Sequence, residues 1–525
     1  MPDFLTNYAA SQPDKLAVID DRGSGEPVRW TYRELEERSN RLANALASLG
    51  VGAGDKVLWC GPNSPEVVAV IAATRKLSAV AVAVNYRLTA DEAKYVIGHS
   101  DAAVGYVDAE QAPLFAGLRA ELDRLRQVIV YGGEPPAGVP GGWMLGDDFV
   151  AGASPDPPAA EPLEGVAGTM IFTSGTTGRP KGAVRRMHAA DTAAIGLIML
   201  IGYTPDDVYV TSGPLYHSGP SGFMGGALAL GQTVIVQRKF DPEDWLRLVQ
   251  AYRVSSTFAA PAPIRMVCNL PEEVKARYDR SSMKRMIANA APWSMALKRQ
   301  YLADFPPESL WEVYGSTELG VNCVLEPADQ LRKPGSCGKP APGVEVRLFD
   351  ADGGEVTGTG PDHPGELFAR STAIFDEYYK QRDSYESARR GDFHTVGDIA
   401  YRDEEGYLYI CDRKSDMIIT GGMNVYPAEI EAALEQHPAV YEAAVFGIPS
   451  DDWGEAVHAE VVLRPGASLT ADDVVAFSRE HLAGYKIPRS VSFTAELPRT
   501  GSGKVLKRTL RAPYWAGQGA ASPSI

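Results

Sequence analysis

At 525 residues the chain is too long for one ordinary core, and 45% hydrophobic with 22% charged residues is the make-up of a soluble globular protein of two or more domains. A net charge of −16 argues against nucleic acid as a partner and requires that polyanionic substrates be met by local clusters of cations. Five scattered cysteines without CxxC or metal spacing, no basic-then-apolar leader and no apolar run longer than Ala193 to Tyr203 exclude a disulfide scaffold and a transmembrane segment, and predict a cytoplasmic protein.

In chain order, Thr31 and Glu34 form a capping box, and Leu35, Leu42, Leu46 and Leu49 continue as an apolar helical face until Gly50 ends it. Lys56 to Cys60 reads as a buried strand, Glu66 to Leu77 as a helix, and Val80–Val84, Ala103–Val107 and Gln127–Tyr131 as further strands. This alternation predicts a layered α/β fold with mostly parallel sheets. Residues 132–166, rich in Gly, Pro and acids, read as an exposed connection. A buried strand, Thr169 to Phe172, then runs into the decapeptide Thr173-Ser174-Gly175-Thr176-Thr177-Gly178-Arg179-Pro180-Lys181-Gly182.

That decapeptide is the richest signal in the chain. Glycines leaving a strand can turn their amides toward an anion, and hydroxyls with two cations complete a cradle for phosphate oxygens. It is not a Walker loop, because Lys181 follows Pro180 and precedes Gly182. Arg185 and Arg186 extend the cationic cluster, and Lys504, Lys507 and Arg508 form a second one.

A second βα series follows through Val208–Thr211, Thr233–Gln237 and Ser256–Ala260. Tyr314-Gly315-Ser316-Thr317-Glu318 comes just after the strand-like Trp311 to Val313, where a Glu beside a hydroxyl suits Mg²⁺, which takes oxygen ligands and bridges them to phosphates. Val396-Gly397-Asp398 offers a carboxylate that can accept both hydroxyls of a ribose. Gly406 to Ile410 reads as an antiparallel hairpin strand. Near residue 412 the pattern changes to a compact unit: helix Ala428–Gln436, strands Val440–Phe446 and Ala459–Leu463, helix Ala471–Leu482 and strand Val491–Phe493. We divide the chain into an N-terminal domain, 1–412, and a small mobile α+β C-terminal domain, 413–525, with a hinge at 412–416. In that second domain Lys504 is presented by Gly501-Ser502-Gly503, a loop that can swing a cation in and withdraw it.

Together these motifs resemble the adenylate-forming superfamily, in its acyl-CoA synthetase and fatty-acid–CoA ligase branch, over residues 10 to 510. The resemblance implies ATP, Mg²⁺ and CoA as cofactors. Thr173, Ser174, Gly175, Thr176, Thr177, Gly178 and Lys181 would hold phosphates, and Ala290, Ala291 and Pro292 would line the adenine. Tyr314 and Gly315 belong to the nucleotide site, Thr317 would contact the α-phosphate, and Glu318 would hold the metal. Asp398 and Arg413 would reach the ribose, and Lys504 would neutralise charge in the adenylation transition state. Gly421-Gly422-Met423-Asn424-Val425-Tyr426-Pro427 is closer to CoA ligases than to peptide-synthetase domains, which points to CoA as acceptor. Two positions depart from the family pattern: Val396 replaces a Thr, and Ser415 stands at the hinge where Asp or Lys is usual.

The acyl pocket implied by the resemblance is walled by His217, Phe223, Met224, Ala260 and Gly315. No Arg, Lys, Asp or Glu occurs in Tyr216–Leu230 or Ser255–Pro263, so the acid should be hydrophobic. The expected activity is ligation of a medium- or long-chain fatty acid, or a bulky alicyclic acid, to CoA through an acyl-adenylate. The expected partners are that small-molecule carboxylic acid, ATP and CoA, with no nucleic acid and with a homodimer left open. Alternatives are an enzyme loading a carrier protein, an aryl-CoA ligase, a luciferase-like oxygenase, or a nucleotide-binding regulator without chemistry.

Overall fold

The computed structural model describes residues 3–134, 143–159, 163, 165–173, 179–187, 191–289, 291, 293–414, 416–421, 423–450, 452–499 and 505–516. Helix Tyr32–Ser48 begins at the anticipated capping box, in which Thr31 accepts from Glu34 N and the Glu34 side chain returns to the Thr31 amide. It buries Leu35, Leu42 and Leu46 against helix Pro65–Lys76, which Ser64 caps. Strands Lys56–Cys60, Val80–Val84, Val104–Asp108 and Gln127–Tyr131 follow the expected alternation and pair in parallel. They form the centre of an eight-stranded sheet. Their side chains are buried on both faces because helices cover both, which explains the unbroken apolar runs.

Within the segment 132–166 the described residues are mostly exposed, as expected of a connection, but 143–156 carry structure of their own. Met144–Leu145 adds a parallel edge strand to Gln127–Tyr131, and helix Gly146–Ala151 follows at once. Asn40, Arg41 and Asn44 then bond the carbonyls of 153–156 and stitch the segment to the first long helix. The apolar residues here are scattered among many glycines, prolines and acids and show no period.

A nine-stranded sheet holds the second βα series. Its central strands, including Val208–Thr211, Ser256–Ala259, Arg285–Ala288 and Leu310–Ser316, run parallel, and antiparallel strands close both ends. A five-stranded antiparallel sheet spans Glu345–Phe349 to Leu408–Arg413. The chain then enters the smaller unit. Strands Val440–Ser450 and Gly454–Leu463 make one long hairpin rather than two short strands, and Ser490–Phe493 adds in parallel after helix Ala471–His481. The molecule is therefore α/β, with a large layered part and a small α+β part. Among the described residues no helix is long and apolar enough to cross a membrane.

Candidate functional site

The glycine-rich decapeptide is a hairpin connection. Strand Gly168–Thr173 enters it and strand Lys181–Arg186 leaves it, antiparallel, with Thr173 opposite Lys181. The entering strand is in turn parallel to Val80–Val84, so the stem is seated in the eight-stranded sheet. Ser174, Gly175, Thr176, Thr177 and Gly178 lie outside the described residues. At the two ends, the Arg179 guanidinium lies 5.2 Å from the Tyr95 ring and the Lys181 ammonium 5.1 Å from the Tyr378 ring.

Glu318 is where separate parts of the chain meet. Thr173 Oγ1 and the Tyr378 hydroxyl each donate to its Oε1 at 3.0 Å. Oε2 takes no such bond among the described residues, although the side chain is largely buried. Burial and then the adjacent carboxylate raise the Tyr378 phenol, which keeps it a donor. Ser218 Oγ lies 2.7 Å from Thr317 Oγ1, while Arg185 donates to the carbonyls of Thr317 and Ala373. Among the described residues no cluster of three or more His, Cys, Asp or Glu could cage a metal. One carboxylate with a spare oxygen could nevertheless hold Mg²⁺ alongside a nucleotide, since that ion is usually held by one or two carboxylates and the substrate's phosphates.

The predicted ribose residues form a second group. Asp398 and Arg413 face each other across the ladder of Phe393–Arg402 and Leu408–Arg413. Arg413 Nε is 3.4 Å from Asp398 Oδ1, and the Tyr314 hydroxyl donates to Asp398 Oδ2 at 2.5 Å. Burial opposes the Arg413 charge, but Asp398, Asp416 and Glu318 more than offset it, so its pKa is raised. Gly397 takes φ +81°, a left-handed turn that favours glycine, and Val396 puts a hydrocarbon on the wall of the cleft. Gly315 is fixed by sterics instead: a Cβ there would meet Gly320 O at 2.0 Å, where the hairpin register shifts.

These groups open onto one cleft of about 3590 Å³, which Thr173, Lys181, Thr317, Glu318 and Arg413 line. The predicted acyl wall lines it too. His217 precedes helix Ser218–Ala229, Phe223 stacks on Phe258 at 5.0 Å, and Met224, Ala260 and Gly315 complete the surface. Met224 is also almost fully buried in the main core. Asn289 donates to Val313 O at 2.7 Å and lines the cleft beside the predicted adenine stretch. Ala291 is described, whereas Ala290 and Pro292 are not.

Other expectations fall elsewhere. Gly421 sits in a left-handed turn of the smaller unit, against the Trp453 ring, and does not line the cleft. Gly422, Ser415 and Lys504 lie outside the described residues. The two cationic clusters split. Arg186 pairs with Glu377 at 2.7 Å, and Lys507 pairs with Glu431 at 2.8 Å and approaches Asp412 at 3.9 Å. Burial opposes the Lys507 charge, but Glu431 and Asp412 prevail and push its pKa up to about 12. Tyr378, Ser218 and Arg185 as a buried strut were not anticipated from sequence. Tyr378 comes from a two-residue strand, Glu377–Tyr378, paired with Ala183 and Val184, which is too short to carry a period.

The AMP-binding enzyme family model matches residues 5–379, and the AMP-binding enzyme C-terminal domain model matches 429–504. A feruloyl-CoA synthase from an Amycolatopsis species is 35% identical over 92% of this chain and 94% of its own. The long-chain-fatty-acid–CoA ligase FadD13 of Mycobacterium tuberculosis is 33% identical over 98% of both chains. ATP-bound MatB from Rhodopseudomonas palustris superposes with a TM-score of 0.85 at 29% identity, covering 97% of this chain and 98% of that one.

Proposed function

The chain belongs to the AMP-binding enzyme family, in the acyl-CoA synthetase branch of the adenylate-forming ligases, which use ATP, Mg²⁺ and CoA; from that premise we propose that its acid is hydrophobic, a medium- or long-chain fatty acid or a bulky alicyclic acid. The observation that carries this is the cleft itself. Thr317 and Glu318 line it together with His217, Phe223, Met224 and Ala260, which come from the uncharged segments Tyr216–Leu230 and Ser255–Pro263.

In this reading the acid's carboxylate attacks the α-phosphate of ATP, giving acyl-adenylate and pyrophosphate. Thr317 hydrogen-bonds the α-phosphate, and Ser218 orients that hydroxyl from 2.7 Å away. Glu318 would hold Mg²⁺ through its spare oxygen, and the ion would neutralise phosphate charge. Thr173 and Tyr378 fix the rotamer of Glu318. Asp398 and Arg413 hold the ribose, and Lys504 supplies positive charge where negative charge builds up on the phosphates in the transition state. The thiol of CoA then attacks the acyl carbon and AMP leaves. We assign the first step to an arrangement with Lys504 turned toward the cleft, and the second to one with it turned away, about a hinge at 412–416.

A charged or amino-bearing acid would be buried here without a partner, at a cost of several kcal/mol. Each methylene inside the pocket would instead contribute about 0.8 kcal/mol. Pyrophosphate release with acetate, octanoate, palmitate, benzoate and phenylalanine should rise from acetate to the longer chains, with phenylalanine rejected. Acetate or phenylalanine outperforming octanoate and palmitate would overturn the assignment. An aryl acid is the second reading, supported by the stacked Phe223–Phe258 pair and the feruloyl-CoA synthase likeness, and benzoate ahead of octanoate would select it.

A further inference from the structure

Lys504 belongs to a loop whose two ends are described. Arg499 and Val505 form an antiparallel bridge, Leu506 N donates to Pro498 O at 2.7 Å, and both Arg499 and Val505 line the cleft. The stem is fastened by Leu497, which is buried with Ala444 and Val462. It is also fastened by charge, because Arg499 pairs with Glu442 Oε2.

The same Glu442 oxygen faces the other domain. Arg265, on helix Pro261–Cys268 directly after the acyl-wall residue Ala260, lies 3.8 Å from Glu442 Oε2, and its guanidinium sits 5.2 Å from the Tyr441 ring. Arg265 falls within the AMP-binding model, Glu442 and Arg499 within the C-terminal model. Glu431 and Glu435 add negative charge around this contact, and burial, with Arg265 opposing, pushes the Glu435 carboxyl up to about 7. Glu442 is itself buried, so its charge is screened little by water.

We propose that Glu442 is a positioning residue that clasps Arg265 of the large domain and Arg499 of the smaller one, and so holds the arrangement in which Arg499 and Val505 line the cleft. The inference rests on the proposed two-step reaction. The clasp forms only while the domains meet here, so it serves acid adenylation and must open before the thiol step. Arg265 also ties it to the acid, since its helix starts at the wall of the acyl pocket.

The test compares wild type with Glu442→Gln, Arg265→Met and Arg265→Lys in the full chain. Adenylation is read as pyrophosphate release with octanoate, and the second step as thioester formation from supplied octanoyl-adenylate and CoA. Domain arrangement is read as a spin-label distance between introduced cysteines at Arg277 and Asp472. Misplacing a distant cation should lower adenylation kcat roughly tenfold to a hundredfold in Glu442→Gln and Arg265→Met, with KM for ATP nearly unchanged. Thioester formation should hold, the distance distribution should broaden, and Arg265→Lys should recover most of the loss. Equal loss in both steps, or an unchanged distance distribution in Arg265→Met, overturns the clasp. A wild type that turns over no acid while Arg265→Met still broadens the distribution supports the clasp and sinks the functional reading instead.

Discussion

Two loop stems, one ending in Thr173 and Lys181 and the other in Arg499 and Val505, line the same cleft, and their foundations differ. The first, Gly168–Thr173 with Lys181–Arg186, is registered pair by pair and continues into the parallel core of an eight-stranded sheet. The second has one bridge, Arg499 to Val505, one backbone bond from Leu506, a small apolar patch and an ion pair. The sheet-borne stem cannot move without breaking a large domain. The other can be withdrawn by releasing a few contacts, each worth little on its own. Fixed cations suit groups that are present throughout, such as phosphates, whereas a detachable cation suits one step.

The sharpest way to break this contrast is Lys504→Ala. It should lower adenylation by about two to three decades yet leave thioester formation from supplied acyl-adenylate much less affected, since one transition-state donor is removed. Equal loss in the two steps would make both loops fixed machinery. On the seated side, Glu318→Gln should cost about one to two decades and raise the Mg²⁺ concentration needed for half-activity, because a neutral amide is a poorer ligand for a hard dication. The same fractional loss at limiting and saturating Mg²⁺ would remove Glu318 from metal binding.

The smallest effect concerns the joint between the two foundations. Asp412 accepts from Ala428 N at 3.0 Å near the start of helix Pro427–Leu434, and burial pushes its carboxyl from 3.8 up to about 6. A native pKa above the unfolded one means that the folded chain binds this proton more tightly. The stability it contributes is complete below about pH 4 and is lost as pH rises through about 6. Lys507, raised to about 12, works in the same sense but at far higher pH. Thermal stability should therefore fall between pH 5 and 7 by the order of 1–3 kcal/mol, and Asp412→Asn should flatten part of that slope. The remainder belongs to Glu435, raised to about 7. An unchanged slope in the variant would clear Asp412 of the effect.

The elements that could be read in advance share one property: their signal is local and repeated. Capping box, leucine face and parallel strands all declare themselves within a dozen residues, and the motif residues Thr317, Glu318, Asp398 and Arg413 stand in short patterned stretches. What escaped was non-local. Tyr378 reaches Glu318 from 60 positions away, Ser218 meets Thr317 from 99 away, and Arg185 is spent on two carbonyls that no charge count can foresee. Charge clustering in sequence overstated the free cations for the same reason. One member of each cluster is already neutralised by an acid that arrives from another element, as Glu377 does for Arg186 and Glu431 for Lys507.

Ser218 bears on any attempt to retool this enzyme. It begins the helix whose later residues, Phe223 and Met224, line the cleft where we propose the acid binds, yet its hydroxyl lies 2.7 Å from that of Thr317, the proposed phosphate contact. A graft that exchanges Ser218–Ala229 as one cassette therefore swaps a phosphate-side strut together with the acid wall. Moving the splice one residue downstream, to Gly219, keeps the hydroxyl. The exchanged stretch must still begin with glycine, because the absent side chain of Gly219 makes room for the Phe258 ring, only 2.3 Å from where a Cβ would stand.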